Sequence, residues 1–482
     1  MKVALVNPNS RAIGRVATVN PPLGILYIAS FLREQGIEAK VVDADIDDLS
    51  VEQIYKEASE CDVVGTTMTT VQAAFGYGHI NFMKERDRDL IQTVGGAHPS
   101  GMRERIFNDC QNIDYSVIGE GEHTFSELCH AVLEGKPASA IKGLYINNPQ
   151  GTVFTGTRER LDPNTLPFPA FELVEPIEKY AAIVRNKHVF PPNKGQLCFP
   201  VIGSRGCPFR CKFCGSNMVW QWTVKYRTPQ NICDEIEWLR DQYGVDEIMY
   251  WDDELNVNLT WFAELCREHI RRGLNKTLWF KGSVRANRNL VSEDLFRLAK
   301  EAGFWALAFG VESGNQTILD SISKDFTLEE VKSLNLLLKK LEIVRIASFM
   351  IGHIHDTEET IDDTIRFANE LDVDAYDFFL STPLPGTILE EEADQYGLIV
   401  SRDWRKYAML GQVCRTLHVD CNRLEELRKF ARLTMEYGYW RMRLLPFARK
   451  HVPKAIRHLI GRIVYGPQLR PHIQPAEKNC SV

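Results

Sequence analysis

Cys207, Cys211 and Cys214 stand in the run Gly-Cys-Pro-Phe-Arg-Cys-Lys-Phe-Cys-Gly, three thiols at C-x-x-x-C-x-x-C spacing on one short loop. Three thiolates so placed can ligate three irons of a 4Fe-4S cluster and leave the fourth iron open to a small molecule. A zinc knuckle is the structural alternative. Zinc, however, wants four ligands, usually as paired C-x-x-C units, and Cys198 and Cys233 stand isolated on either side.

Alternating apolar strands and amphipathic helices position this loop. From Phe199 onward, strands are expected at Phe199–Gly203, Glu247–Trp251, Leu278–Val284, Ala306–Val311, Val344–Ile351 and Ala375–Leu380. Helices lie between them: Pro229–Tyr243 with Thr228 as N-cap and Gly244 as stop, Ser292–Ala302, and Thr327–Leu341 with a Thr327/Glu330 capping box. Six strand-helix units predict an open (β/α)6 barrel, short of the eight that close a full one. The cysteines follow the first strand at its carboxyl end, the active face of such barrels. Beyond the other strand ends come Asp252-Asp253-Glu254, Arg285, Glu312-Ser313-Gly314, Gly352 and Pro383-Leu384-Pro385-Gly386-Thr387. Each of these has a bland alternative as a helix cap or a rim ion pair.

Residues 1–135 read as five further units, with strands at Val3–Val6, Ala39–Val42, Val63–Gly65, Ile91–Val94 and Tyr115–Ile118 and a first helix over Pro22–Gln35 stopped by Gly36. Five units suit a flavodoxin-like doubly wound parallel sheet, which binds ligands beyond the carboxyl ends of its strands. Those ends carry Asn7-Pro8-Asn9, Thr66-Thr67-Met68-Thr69-Thr70, Gly95-Gly96-Ala97-His98-Pro99 and Gly119-Glu120-Gly121-Glu122. The expected organisation of this α/β chain is therefore 1–140 as a ligand-binding sheet, 141–195 as a proline-rich linker with short strands, 196–390 as the barrel, and 391–482 as a mainly helical region with a basic tail.

The chain has 482 residues, 44% hydrophobic and 25% charged, with twelve cysteines in no regular framework. It lacks a signal-peptide-like start and any window of eighteen or so unbroken apolar residues, so a reducing cytoplasm is the expected location. Residues 1–436 carry 48 basic and 63 acidic side chains, which argues against a nucleic-acid-coating protein, whereas Tyr437 to Ala476 holds eight basic residues and no acidic one. Between Tyr437 and Tyr465 the basic residues interleave with Trp440, Phe447, Leu459, Ile460 and other apolar side chains. This pattern suits either an anionic membrane surface, with a lipid-like small-molecule substrate to match, or the acidic body of the same protein.

The cysteine spacing, with the aromatic Phe213 before the third cysteine, resembles the radical S-adenosylmethionine (SAM) enzymes. In these the open iron chelates the amino and carboxylate groups of SAM, and an electron from the cluster, delivered by a reductant such as flavodoxin or ferredoxin, cleaves SAM to a deoxyadenosyl radical. Gly310-Val311-Glu312-Ser313-Gly314, the Asp252-Asp253 pair and Pro383-Leu384-Pro385-Gly386-Thr387 look like core motifs of the cobalamin-dependent branch, which contains methylases and the anaerobic oxidative cyclase of chlorophyll synthesis. Pro21-Pro22-Leu23-Gly24-Ile25-Leu26-Tyr27, Val94-Gly95-Gly96-Ala97-His98-Pro99 and Gly119-Glu120-Gly121-Glu122 are similar to that family's cobalamin-binding module. The resemblance spans about residues 1–400. SAM offers a carboxylate, an amine, a ribose diol and an adenine. The expected contacts are Asp252 or Asp253 to the amine, Arg285 to the carboxylate, Glu312 to the ribose or amine, and Pro385 with its neighbours beside the adenine. Thr66, Thr67, Gly95, Gly96, His98, Gly119 and Glu120 are the expected cobalamin contacts. The Asp-x-His-x-x-Gly run that places a histidine on cobalt is missing after the first strand, and Gly96-Ala97-His98-Pro99-Ser100-Gly101 follows the fourth strand with Gly in place of Asp. His98 is thus a structural residue or a contact to the corrin periphery, and the resemblance implies a base-off cobalamin with the Thr66–Thr70 loop near its lower face. A sheet that has kept its shape and lost its cofactor is the alternative. The function implied is C-methylation of a hydrophobic or natural-product substrate at an unactivated carbon; the rivals are an oxidative cyclase and a corrinoid- or cluster-binding sensor.

Overall fold

The computed structural model describes residues 1–10, 20–180 and 193–439. The basic tail beyond Tyr439 lies outside the described residues.

Five strands, β1 (Lys2–Asn7), β2 (Glu38–Asp43), β3 (Val63–Thr67), β4 (Ile91–Gly95) and β5 (Tyr115–Val117), form a parallel sheet in the order β2-β1-β3-β4-β5. The first crossover helix, Leu23–Glu34, buries Ile25, Ala29 and Leu32 against Val3, Leu5 and Val63. Each Ile, Leu or Val so removed from water stabilises by about 1.5–3 kcal/mol. Two short strands, β6 (Leu144–Ile146) and β7 (Val153–Phe154), continue the sheet antiparallel beyond β5. They fall in the proline-rich segment and cover what would be an open sheet edge.

Later in that segment the chain becomes a wedge. Phe171 is fully buried with its ring 5.2 Å from that of Phe199, while Ala170 N donates to Leu26 O at 3.2 Å and Ser30 Oγ to Phe168 O at 2.5 Å. One continuous core therefore runs from Leu23 and Leu26 through Phe171 and Val174 into the second sheet.

That second sheet is built from β8 (Cys198–Val201), β11 (Glu247–Tyr250), β12 (Trp279–Ser283), β13 (Phe304–Glu312), β14 (Val344–Ile351) and β15 (Ala375–Leu380), with a small β9 (Ser204–Arg205) and β10 (Lys225–Tyr226) ribbon between the first two. All six pair in parallel in sequence order, leaving β8 and β15 as free edges of an open barrel. The helices carry the caps their sequences specify. Thr228 caps Pro229–Tyr243, which stops at Gly244 with φ +66°, and Thr327 with Glu330 forms the capping box of Leu328–Lys340. Helices Ile388–Gln395 and Cys421–Tyr437 follow the last strand.

The carboxyl ends of the two sheets face each other. Gly101, in the helix Ala97–Met102 after β4, packs so closely on the segment after β15 that a Cβ there would lie 2.1 Å from Pro385 O. Arg105 pairs with Glu390 at 2.8 Å, and the same carboxylate accepts Gly386 N at 2.8 Å.

Candidate active site between the two sheets

The cysteine loop runs from Gly206 to Gly215 directly after β9. Gly206 has φ +107°, and a Cβ would sit 2.1 Å from Thr223 O, so only glycine fits where the loop begins. Backbone bonds stitch the loop to its surroundings: Lys212 N to Ile322 O at 3.0 Å, Leu389 N to Lys212 O at 2.9 Å, and Cys214 N to Cys211 O at 3.1 Å. Cys207, Cys211 and Cys214 are partly exposed free thiols. Burial pushes Cys207 and Cys214 up to about 12, so they ionise only when a cation compensates. Among the described residues no group of three or more His, Cys, Asp and Glu is placed to hold a metal ion by itself. The donor set fits a cluster in its chemistry: three thiols on one loop, with cations packed against it.

Arg285 and Lys324 are those cations. The Arg285 guanidinium stacks 3.7 Å from the Phe209 ring centroid, places Nη1 3.7 Å from Cys211 Sγ, and donates through Nη2 to Lys324 O. Lys324 is buried, and its ammonium lies 2.8 Å from Glu312 Oε1. Glu312 itself has φ +65° at a register shift between β13 and β14, and its carboxylate packs over Gly310, where a Cβ would come within 2.3 Å of Oε1 and displace it. Ser323 and Asp325, on either side of Lys324, also have positive φ. Strain concentrated in so few residues marks a site held by its surroundings.

The three acids after β11 differ in what they hold. Asp252 spends both oxygens on protein, Oδ2 on Gly203 N at 2.9 Å and Oδ1 on the Ser204 hydroxyl at 2.6 Å, and burial raises it to about 6. It ties the end of β8 to β11. Asp253 accepts the Ser216 hydroxyl at 2.9 Å just after Cys214. Glu254 leaves Oε2 buried with no hydrogen-bond partner; burial raises its carboxyl to about 7, opposed by the positive charges of Lys324 and Arg285. From the sequence Glu254 was named only as the end of its run, with no role assigned, and Lys324 was not singled out. The run of three acids was a signal for the first; nothing local marks the second. His353, after β14, is likewise fully buried with neither ring nitrogen partnered, 6.0 Å from the Phe213 ring.

On the facing sheet, Thr66 Oγ1 bonds His79 Nε2 at 2.9 Å. Gly96 has φ +102°, and a Cβ would crowd Met68 O at 3.0 Å and Thr67 Oγ1 at 3.1 Å. Gly95 O accepts Met68 N, and Gly119 N donates to Ser100 Oγ at 3.1 Å. His98 is fully buried, with Nε2 2.8 Å from the Tyr77 hydroxyl and its ring 5.0 Å from that of Trp404. Burial lowers it to about 3, so the imidazole is neutral. Thr66 and Ser116 share one face of the sheet through Val94, as does Gln92, and buried Ser116 Oγ and Gln92 Oε1 have no partner. Orphaned polar atoms beside a glycine-lined edge fit a polar cofactor tail.

Glu120 does not point at open space. Oε2 accepts Arg160 Nε at 2.7 Å, and Oε1 lies 3.1 Å from Arg205 Nη1, while Glu122 takes Arg205 Nη2 at 2.8 Å. All four side chains are under a tenth exposed. Arg205 is two residues before Cys207, so this network ties the first sheet to the root of the cysteine loop. Pro385 occupies the junction as well, with its carbonyl on Gly101, while the neighbouring Leu384 faces Gly215 beside Cys214.

A barrel whose first strand end carries three cysteines faces a doubly wound sheet, and each of the two units is matched by a family model. The Radical SAM superfamily model matches residues 201–368 and the B12 binding domain model residues 11–129. An uncharacterised methyltransferase of Pyrococcus horikoshii is 32% identical over 438 residues, 89% of this chain and 91% of its own. The anaerobic magnesium-protoporphyrin IX monomethyl ester cyclase of Rubrivivax gelatinosus is 31% identical over 81% of this chain and 70% of its own. Among solved structures, the radical SAM methyltransferase TsrM from Kitasatospora setae, with cobalamin and a 4Fe-4S cluster bound, superposes with a TM-score of 0.67 at 20% identity, covering 88% of this chain and 84% of that one, and so shares the fold. The chain belongs to the cobalamin-dependent radical SAM enzymes. Its cofactors are a 4Fe-4S cluster, SAM and cobalamin.

Proposed function

We propose that this enzyme methylates an unactivated carbon of a hydrophobic small molecule. The observation that carries methylation over ring closure is the 32% identity, across 91% of its length, to a protein named as a methyltransferase. When bound, the cluster and SAM supply hydrogen abstraction from an unactivated carbon, and cobalamin supplies the methyl group.

Cys207, Cys211 and Cys214 would hold the cluster. Arg285 would hold the SAM carboxylate, with Lys324 and Glu312 completing a buried, charge-balanced wall. Glu254, whose Oε2 is free, would take the amine in place of Asp252, whose oxygens are already engaged; Asp253 stands second to it. His353 and the Pro385 segment would close on the adenine beside Phe213. Thr66, Thr67, Gly95, Gly96 and Gly119 would line the corrinoid edge. Glu120 would act through Arg205, and His98, bonded to Tyr77 and packed on Trp404, would be a structural residue and not a cobalt ligand. The domain limits proposed are those of the sequence, 1–140, 141–195, 196–390 and 391–482, with β6 and β7 of the second segment completing the first sheet. Anaerobic incubation with SAM, a reductant and cell extract tests the reading. Deoxyadenosine together with S-adenosylhomocysteine marks methylation, and deoxyadenosine alone marks cyclisation.

A lipid-like substrate and contact with a membrane surface belong to the same proposal, supported by the seven basic residues interleaved with apolar ones between Tyr437 and Tyr465. Each basic residue near an anionic surface adds about 1 kcal/mol. Among the described residues no helix is long and apolar enough to cross a membrane. Full-length protein is expected to co-sediment with anionic liposomes, and a form ending at Glu436 to stay in the supernatant. Equal partitioning of the two forms removes the membrane contact.

A further inference from the structure

The barrel is open between its edge strands β8 and β15, and β15 carries chemistry on both faces. Phe378 and Leu380 are in the core. Asp377 and Phe379 alternate with them and face the other way. Phe379 lines a cavity of about 220 Å³ in the barrel interior, together with Met249, Lys281, Ser283, Ala308, Ile346 and Ser348, the Lys281 ammonium being held by Glu247 at 3.2 Å. Its walls are mostly apolar, and nothing in the sequence-derived site used it.

The helix Cys421–Tyr437 packs along β15. Leu424, Leu427, Ala431 and Met435 bind it to the core, and one turn apart it carries Arg428 and Arg432. Arg432 is half exposed, and its Nη1 lies 3.7 Å from Asp377 Oδ1, too far for a hydrogen bond. Arg428 is only 9% exposed, yet its Nε is buried with no hydrogen-bond partner. The acids within reach are committed elsewhere: Glu425 to Lys429 at 2.6 Å and to Gln412 at 2.8 Å, and Asp377 Oδ1 to Phe378 N at 2.8 Å. Burial and the charge of Arg432 both act against the Arg428 cation, with Asp377 and Glu425 only partly offsetting them. Two guanidiniums at one seam therefore outnumber the carboxylate that faces them. Buried arginines are ordinarily satisfied, and a guanidinium offers a planar fork of donors that matches a carboxylate or phosphate.

We propose that Arg428 and Arg432 receive the acidic head group, carboxylate or phosphate, of a substrate whose apolar body enters the barrel cavity at the β8–β15 seam. The inference rests on the reading of this chain as an enzyme that acts on a small molecule inside the barrel, and narrows that molecule to an acidic amphiphile.

Calorimetric titration of the full-length protein with decanoate, decyl phosphate and decanol tests it. At least one of the two acids binds about tenfold or more tightly than the alcohol of equal chain length, the value of a charge-assisted hydrogen bond. Which acid binds tighter distinguishes a carboxylate from a phosphate head group. Arg428→Met abolishes the preference and Arg432→Gln reduces it severalfold, whereas Arg423→Gln on the same helix, which loses only the pairs with Glu358 and Glu426, retains it. Decanol binding as tightly as both acids overturns the proposal, as does a wild-type preference in the Arg428 and Arg432 variants. Should Arg428→Met not fold, the half-exposed Arg432 variant decides alone. SAM cleavage by the wild-type protein is followed in parallel. Its failure counts against the enzyme reading, whereas loss of the charge preference alone counts only against this one.

Discussion

Replacing Cys207, Cys211 and Cys214 together with alanine is expected to take the anaerobically purified protein from about four irons per chain to none, with complete loss of SAM cleavage. A methyl group cannot ligate iron, and no other described cysteine is near enough in sequence to substitute: Cys198 and Cys233 are buried on neighbouring elements. The three thiols are only partly buried on a loop, so the apo protein keeps its fold and the comparison is fair. Iron analysis and quantitation of deoxyadenosine check it. A triple variant that retained iron and still cleaved SAM would overturn the assignment of the loop.

Lys324→Met has the second largest expected effect. It leaves Glu312 as a buried carboxylate whose partner at 2.8 Å is gone, and removes the positive charge that most opposes the raised Glu254 carboxyl. Breaking a buried pair on one side costs about 3–5 kcal/mol, a large share of the roughly 5–15 kcal/mol that holds a domain together. Urea unfolding under anaerobic conditions is expected to show that loss, and SAM affinity is expected to fall with it. Adding Glu312→Gln recovers part of the stability, because the stranded charge is removed, without recovering SAM binding. A single variant within about 1 kcal/mol of wild type would show that Lys324 is not a structural counter-ion.

The elements and the cysteine loop were legible because they depend on local signals. Short apolar runs alternating with helical segments marked all eleven parallel strands, Thr228 and Thr327 marked the helix caps, and the thiol spacing needs no tertiary context to be read. What the sequence did not reveal depends on contacts across long separations. Asp252, Asp253 and Glu254 are indistinguishable as letters; only burial and the positions of Gly203 and Ser204 decide that the first is engaged and the third is free. Lys324 sits in an irregular turn with positive φ on both sides, where no periodic pattern announces an inward-facing charge. Glu120 reads as part of a ligand-binding string and proves to hold Arg205, a residue 85 positions away. The proline-rich segment lacks periodicity because it packs as a wedge and two edge strands, each too short to show one.

One chain is expected to bring a cluster, SAM and a corrinoid together between its two sheets. Anaerobic full-length protein, loaded with iron, sulfide and cobalamin and given SAM and a flavodoxin- or ferredoxin-type reductant, tests that most directly. Metal analysis of the gel-filtered protein and chromatography of the reaction are predicted to show about four irons and one cobalt per chain, with deoxyadenosine formed only when reductant is present. Zinc retained in place of iron, or a fully loaded cluster that leaves SAM intact, would contradict it.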